Sequence, residues 1–305
     1  MIATAPPPPT PTAPVAGHMT LATQRLHGRP PFLLTGERLV VRGTVSSFAA
    51  GQSVTVRFEE DGRTVETSRV SVLPGSDGTG RFRLGWSPRE PGLVQALAGH
   101  TASPQLSAFT ARTGSVRYVN PDMSEGARGP GVWVLQSALS ALHYAVPLNG
   151  VFDEGTGQAV TAYRKLTGLE RVPDTDAQVF HLLQRGAGAF HVRYPRDGRH
   201  VEADLAAQVL AEIEPGGRVR RIYTMSSGKP STPTVLGRFR VYLKTPGVNS
   251  EGMVDSNYFI RGYAIHGYPE VPTYAASHGC LRVPIPDAPA IYAWVQLGTP
   301  VDVYY

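Results

Sequence analysis

The 305-residue chain predicts a multidomain, mainly β protein in which a small module of three helices separates a β-sandwich from a second β-rich domain. Two patterns and one compositional bias predict it. Apolar residues recur with period two from Pro30 to about Thr113 and again from Phe190 to the end, whereas residues 121 to 186 follow the helical period. Glycine (33) and proline (27) are abundant while only 17% of residues are charged, which suits short strands joined by many turns.

Residues 1–29 open with "MIATAPPPPTPTAPVAG", a Pro, Thr and Ala run that cannot bury a core, so an extended, semi-rigid tether is expected there. It has neither the basic flank nor the apolar segment of a signal peptide. Over 30–113, Leu39, Val41, Gly43 and Val45 alternate with outward positions, as do Val54, Val56 and Phe58, then Phe82, Leu84 and Trp86. Turn signals at "EDGR", "PGSDGTG" and "REPG" divide these runs, and an antiparallel sandwich follows. In 121–186, Val132, Leu135, Leu139 and Leu142 share a helical face after a Gly-Pro entry. Asn149-Gly150 makes a tight turn, Thr156 is expected to cap a second helix carrying Val160, Tyr163 and Leu166, and "DTDAQVFHLLQRG" is a third helix closed by Gly186. From 190 to 305, Val201, Leu205, Val209 and Leu210 read as one arm of a hairpin, "EPGG" as its turn, and Val219, Ile222 and Tyr223 as the other arm. "GRFRVYLKTPG" and "YFIRGYAIHG" read as further single strands, and a short helix precedes a last strand.

No run of eighteen apolar residues exists, so no membrane-spanning helix is expected. The formal charge of +5 comes from scattered basic residues, with "RVRR" at 218–221 the densest group, so a solvated surface is expected and no nucleic-acid partner. One cysteine excludes an internal disulfide framework.

That cysteine, Cys280, follows Ser277, His278 and Gly279. A free thiol is only a few per cent thiolate at neutral pH, so a histidine that takes its proton and later returns it to a leaving amine would support acyl transfer through a thioester. His278 is two residues away, but side chains at i and i+2 of a strand run parallel, which makes a bond between them awkward. His266, fourteen residues upstream, can be brought opposite Cys280 by a neighbouring strand and is the expected general base, leaving His278 to shape the pocket. Gly279 lets the peptide turn, so the amides of Gly279 and Cys280 are candidate oxyanion donors, a role worth roughly 3 to 4 kcal/mol. The carbonyl of Gly267 can orient the imidazole, and Arg282 can pair a substrate carboxylate. A buried structural cysteine is the bland alternative. A His/His/Cys zinc site lacks a fourth ligand at a familiar spacing, so no metal and no cofactor are expected.

Three resemblances extend this reading. "VRGTVSSFAAGQSVTVRF" resembles the first core strands of bacterial immunoglobulin-like spacer domains. "GARGPGVWVLQSAL", "LNGVFDEGTGQAV" and "AYRKLTGL" resemble the peptidoglycan-binding domain of bacterial wall enzymes, with Tyr163 and Arg164 where Phe and Gln are usual. His266-Gly267 followed by Ser277-His278-Gly279-Cys280 resembles the motif of the YkuD-type L,D-transpeptidase catalytic domain, a likeness that runs from Phe190 to about Val303. Arg282 stands where that family often has Asn. The resemblance implies that Cys280 is the nucleophile and His266 the proton donor and acceptor. It further implies that peptidoglycan stem peptides are donor and acceptor, that 3→3 crosslinks, or amines attached to tetrapeptide stems, are the product, and that the enzyme acts in the extracytoplasmic wall; a monomer is expected. A thiol L,D-carboxypeptidase or hydrolase, and a non-catalytic wall-binding protein, are the alternatives.

Overall fold

In the computed structural model, which describes residues 13–305, the chain divides into two compact units, one of residues up to 26 with 31–119 and one of 27–30 with 120–305. Residues 1–12 of the expected tether lie outside the described residues. Its remainder is not all spacer: Met19–Thr23 forms a strand, β1. Its alternate residues Met19 and Leu21 join the sandwich core, which gives this polar, Pro-flanked stretch a reason to pair.

In the first unit, β1 is followed by β2 (Phe32–Leu34), β3 (Leu39–Val45), β4 (Ser53–Glu60), β5 (Arg63–Ser71), β6 (Leu73–Pro74), β7 (Gly80–Trp86), β8 (Gly92–His100), β9 (Phe109–Arg112) and β10 (Val116–Val119). One sheet has the order β1-β3-β7-β6 and the other β2-β10-β8-β4-β5, with β9 on β8. The unit therefore extends past both ends of the expected 30–113 domain. The period-two reading holds in detail, since Leu39, Val41, Val45, Val54, Val56, Phe58 and Phe82 are all buried. Gly43 is required inside β3 because a Cβ there would meet Cζ of Phe82 at 2.0 Å.

The second unit opens with α1 (Pro130–Ala141), α2 (Glu154–Thr167) and α3 (Ala177–Gln184). The cap of α2 is Asp153, whose Oδ1 accepts from the Thr156 amide at 2.9 Å, and not Thr156 as expected. The Thr156 side chain is fully buried, and its hydroxyl turns back to donate to Asp153 Oδ1 at 2.9 Å. Gln136 on α1 ties the Asn149-Gly150 turn, its Oε1 accepting both amides at 3.1 and 2.8 Å.

These helices cover the β domain of the same unit. Two main-chain bonds, Ala145 N–H to Ile222 O and Ile222 N–H to His143 O, both 2.9 Å, extend the module onto an outer strand. That outer strand is β13 (Arg218–Thr224), which follows β11 (His200–Asp204) and β12 (Val209–Glu214). The expected two-strand hairpin is thus three strands. Asp204 Oδ1 accepts the Ala207 amide at 2.8 Å and Gln208 takes φ +60°, which turns the chain between Leu205 and Val209.

"GRFRVYLKTPG" is likewise two strands, β14 (Gly237–Arg240) and β15 (Leu243–Val248), which belong to different sheets. "YFIRGYAIHG" belongs to the hairpin β16 (Val254–Ile260) and β17 (Tyr263–Tyr268), turned at Arg261 with φ +49°. Its turn residues are Arg-Gly in place of the usual Asn-Gly, so the run reads as continuous. The fold ends with β18 (Leu281–Pro284), α4 (Ala288–Trp294) and β19 (Pro300–Tyr304). The sheets run β13-β12-β11-β19-β14 and β15-β16-β17-β18. Val201, Leu210, Tyr223, Ile265, Leu281 and Val301 form part of the core between them.

Candidate active site

Strands β17 and β18 run parallel, with Ile265 opposite Leu281 and His266 opposite Arg282. Ile265, Leu281 and Val283 face the core. Alternation therefore places His266, Tyr268 and Arg282 on the other face, and Cys280, one residue ahead of β18, heads the same row. The residue directly opposite His266 is thus Arg282 and not Cys280, because the parallel register is offset by two residues from the expected one.

His266 is 3% exposed and its Nδ1 lies 2.9 Å from Gly267 O. A carbonyl can only accept, so Nδ1 carries the proton and Nε2 is left with its lone pair. Burial lowers the imidazole pKa, the Gly267 bond opposes that, and the positive Arg282 lowers it further. For Cys280, burial raises the thiol pKa, while the Ala264 backbone and the Arg282 charge act the other way. Both shifts favour a neutral resting pair over a thiolate-imidazolium pair. The thiol donates to Gly262 O at 3.7 Å, a carbonyl presented by the β16–β17 turn.

Ser277 closes the loop before the cysteine. Its hydroxyl donates to Cys280 O at 2.6 Å and accepts the Gly279 amide at 3.1 Å. The Gly279 amide is therefore committed inside the loop, contrary to the oxyanion role expected for it, and of that pair only the Cys280 amide remains a candidate. Gly279 has φ +120°, and a Cβ there would stand 2.4 Å from Cε1 of Tyr263. Gly279→Ala is expected to lower stability by about 1–3 kcal/mol through strain and to cost roughly a hundredfold in acylation through displacement of the loop. A thermal melt alongside acylation kinetics checks both.

His278 is exposed, and its Nε2 lies 3.1 Å from Lys229 Nζ, on the outer side of the loop. The structure thus puts it beside Lys229 at an exposed position. The Arg282 guanidinium lies 4.0 Å over the Tyr268 ring, whose plane stands at 87° to the His266 ring. Such stacking uses the guanidinium face and leaves its edge donors for an anion. Tyr263, Gly262 and Tyr268 were missed by sequence reasoning, although Gly262 and Tyr263 sit in the Arg-Gly-Tyr turn that a hairpin reading would have exposed. Among the described residues, no group of three or more His, Cys, Asp or Glu side chains is placed to hold a metal ion.

The L,D-transpeptidase catalytic domain (YkuD) profile matches residues 198–303. An L,D-transpeptidase crystal structure from Xylanimonas cellulosilytica is similar at 33% identity over 61% of this chain and 98% of that one, with a TM-score of 0.57. An L,D-transpeptidase from Stackebrandtia nassauensis is 20% identical over 61% of this chain and 96% of that one, with a TM-score of 0.39. One from Mycobacterium smegmatis is 14% identical over 94% of this chain and 100% of that one, with a TM-score of 0.31. No curated protein matches. With nearly the whole Xylanimonas chain covered at that identity, and the family profile falling on the domain that holds His266 and Cys280, this protein belongs to the L,D-transpeptidase family.

Proposed function

We propose that this enzyme forms 3→3 peptidoglycan crosslinks through a Cys280 thioester. The observation that carries the reading is the face that His266 on β17 shares with Cys280, one residue ahead of the adjoining β18, with Gly267 O fixing the tautomer that leaves Nε2 basic. The thiol swings from Gly262 O toward Nε2, gives up its proton, and attacks the carbonyl of the third residue of a tetrapeptide stem. The Cys280 amide stabilises the oxyanion. The S–C bond forms as the C–N bond to D-alanine breaks, and the imidazolium returns the proton to the departing amine. An amine of a second stem then attacks the thioester, releasing the thiol. Arg282 pairs a stem carboxylate with its edge donors.

In this reading the helical module holds the enzyme to the wall, the sandwich spaces it, and the protein works outside the cytoplasm as a monomer. Product analysis with and without an added stem acceptor tests the reaction. A crosslinked dimer formed at the expense of free tripeptide supports it. Tripeptide alone at every acceptor concentration would assign a carboxypeptidase instead, and no turnover at all would leave a wall-binding protein.

A further inference from the structure

Lys165 sits on the face of α2 that meets the β domain, and it is 5% exposed. An ammonium has three protons to donate, and all three are placed: on Gln208 O at 3.0 Å, Thr224 Oγ1 at 2.7 Å and Met225 O at 2.9 Å. None of these partners is a carboxylate, and burial pushes the amine down to about 7. A helix packed on a sheet for stability alone would do as well with an apolar side chain of that length, since a buried amine without a counterion is costly.

What the amine holds leads to the nucleophile. Gln208 stands in the left-handed region, φ +60°, and its side chain brackets Ser227: Nε2 donates to Ser227 Oγ at 2.7 Å and Oε1 accepts the Ser227 amide at 2.8 Å. Ser227 O then accepts the amides of both Ala276 and Ser277, at 2.8 and 2.9 Å. Ser277 in turn holds Cys280 O and the Gly279 amide. A second side chain of the helical module braces the same region, with Arg171 donating to Ala206 O at 3.0 Å and to Thr273 O at 2.7 Å. Every link is a direct hydrogen bond within one compact unit.

We propose that Lys165 is a positioning residue for catalysis, setting the nucleophile loop through the chain Lys165, Gln208, Ser227, Ser277, Cys280. The helical module is then part of the active-site framework in addition to any wall binding. The kinetic consequence rests on the transpeptidase reading; the structural one does not.

The test is Lys165→Met, which keeps the stem and removes the ammonium. The variant is expected to melt cooperatively, to exchange the amides of 276–280 about tenfold faster while those of β11 and β19 are unchanged, and to lose about tenfold in acylation kcat at constant KM. Gln208→Leu, which leaves the main-chain partners of Lys165 in place, is expected to do the same, and the double variant to lose no more than either single one. If Lys165→Met does not fold, Gln208→Leu decides alone. Unchanged exchange at 276–280 in a folded variant, or collapse of the whole fold in both, overturns the proposal. Absence of acylation in the unaltered enzyme would overturn the transpeptidase reading and still leave the exchange comparison to judge Lys165.

Discussion

Cys280→Ala is expected to abolish transpeptidation, with a loss on the order of a million-fold, the scale seen when a covalent nucleophile is removed from a working constellation. The size follows from the role. Cys280 is the only cysteine, so no second thiol can take over, and without an acyl-enzyme the acceptor amine would have to attack an unactivated amide directly. The fold should tolerate the change, because the thiol is held only by a long contact to Gly262 O at 3.7 Å and by the Ala264 backbone, and a methyl group satisfies the site sterically. A cooperative melt matching that of the unaltered enzyme, beside lost turnover, separates chemistry from folding. Retained turnover would remove Cys280 from the mechanism.

His266→Ala is expected to cost about a hundred- to ten-thousand-fold in acylation, the range for loss of a general base. Its pH dependence carries more information than its size. Only neutral imidazole can accept the thiol proton, and a pKa lowered by burial keeps the ring neutral to lower pH. The acid limb of the acylation profile should therefore fall below the ordinary imidazole range in the unaltered enzyme and vanish in His266→Ala. Alkylation of the thiol by iodoacetamide should in contrast rise only above the usual cysteine range, because burial raises the Cys280 pKa. An acid limb at or above the ordinary imidazole value would contradict a buried neutral base.

The candidate site was legible in the sequence because its residues are concentrated: one thiol, a glycine beside it and a histidine-glycine pair fourteen residues before it. The sandwich strands were legible because burial of one face imposes period two, as at Leu39, Val41 and Val45. Where the structure departs from the reading, local signals were weak. The Arg261-Gly262 turn lacks the Asn or Asp that announces a hairpin, and the β14–β15 break at Val241 and Tyr242 has no Gly, Pro, Asn or Asp to mark it. Asp153 takes the cap in place of Thr156 because it stands directly ahead of α2, where its Oδ1 accepts both the amide and the hydroxyl of Thr156. The commitment of the Gly279 amide to Ser277 Oγ depends on a loop conformation that no residue pattern specifies. Lys165 was the least legible of all, since a lysine in a helix reads as solvated until its three buried acceptors, 43 to 60 residues away in sequence, come into view.

In the proposed reaction Cys280 becomes acylated by a stem peptide with His266 as its base. Intact-protein mass spectrometry after a single turnover with a tetrapeptide stem tests it most directly. An adduct equal in mass to the tetrapeptide less its terminal D-alanine is expected, mapped to the peptide containing Cys280, absent from Cys280→Ala and formed far more slowly in His266→Ala. An adduct that persists in Cys280→Ala, or turnover by the unaltered enzyme without any acyl-enzyme, would contradict it.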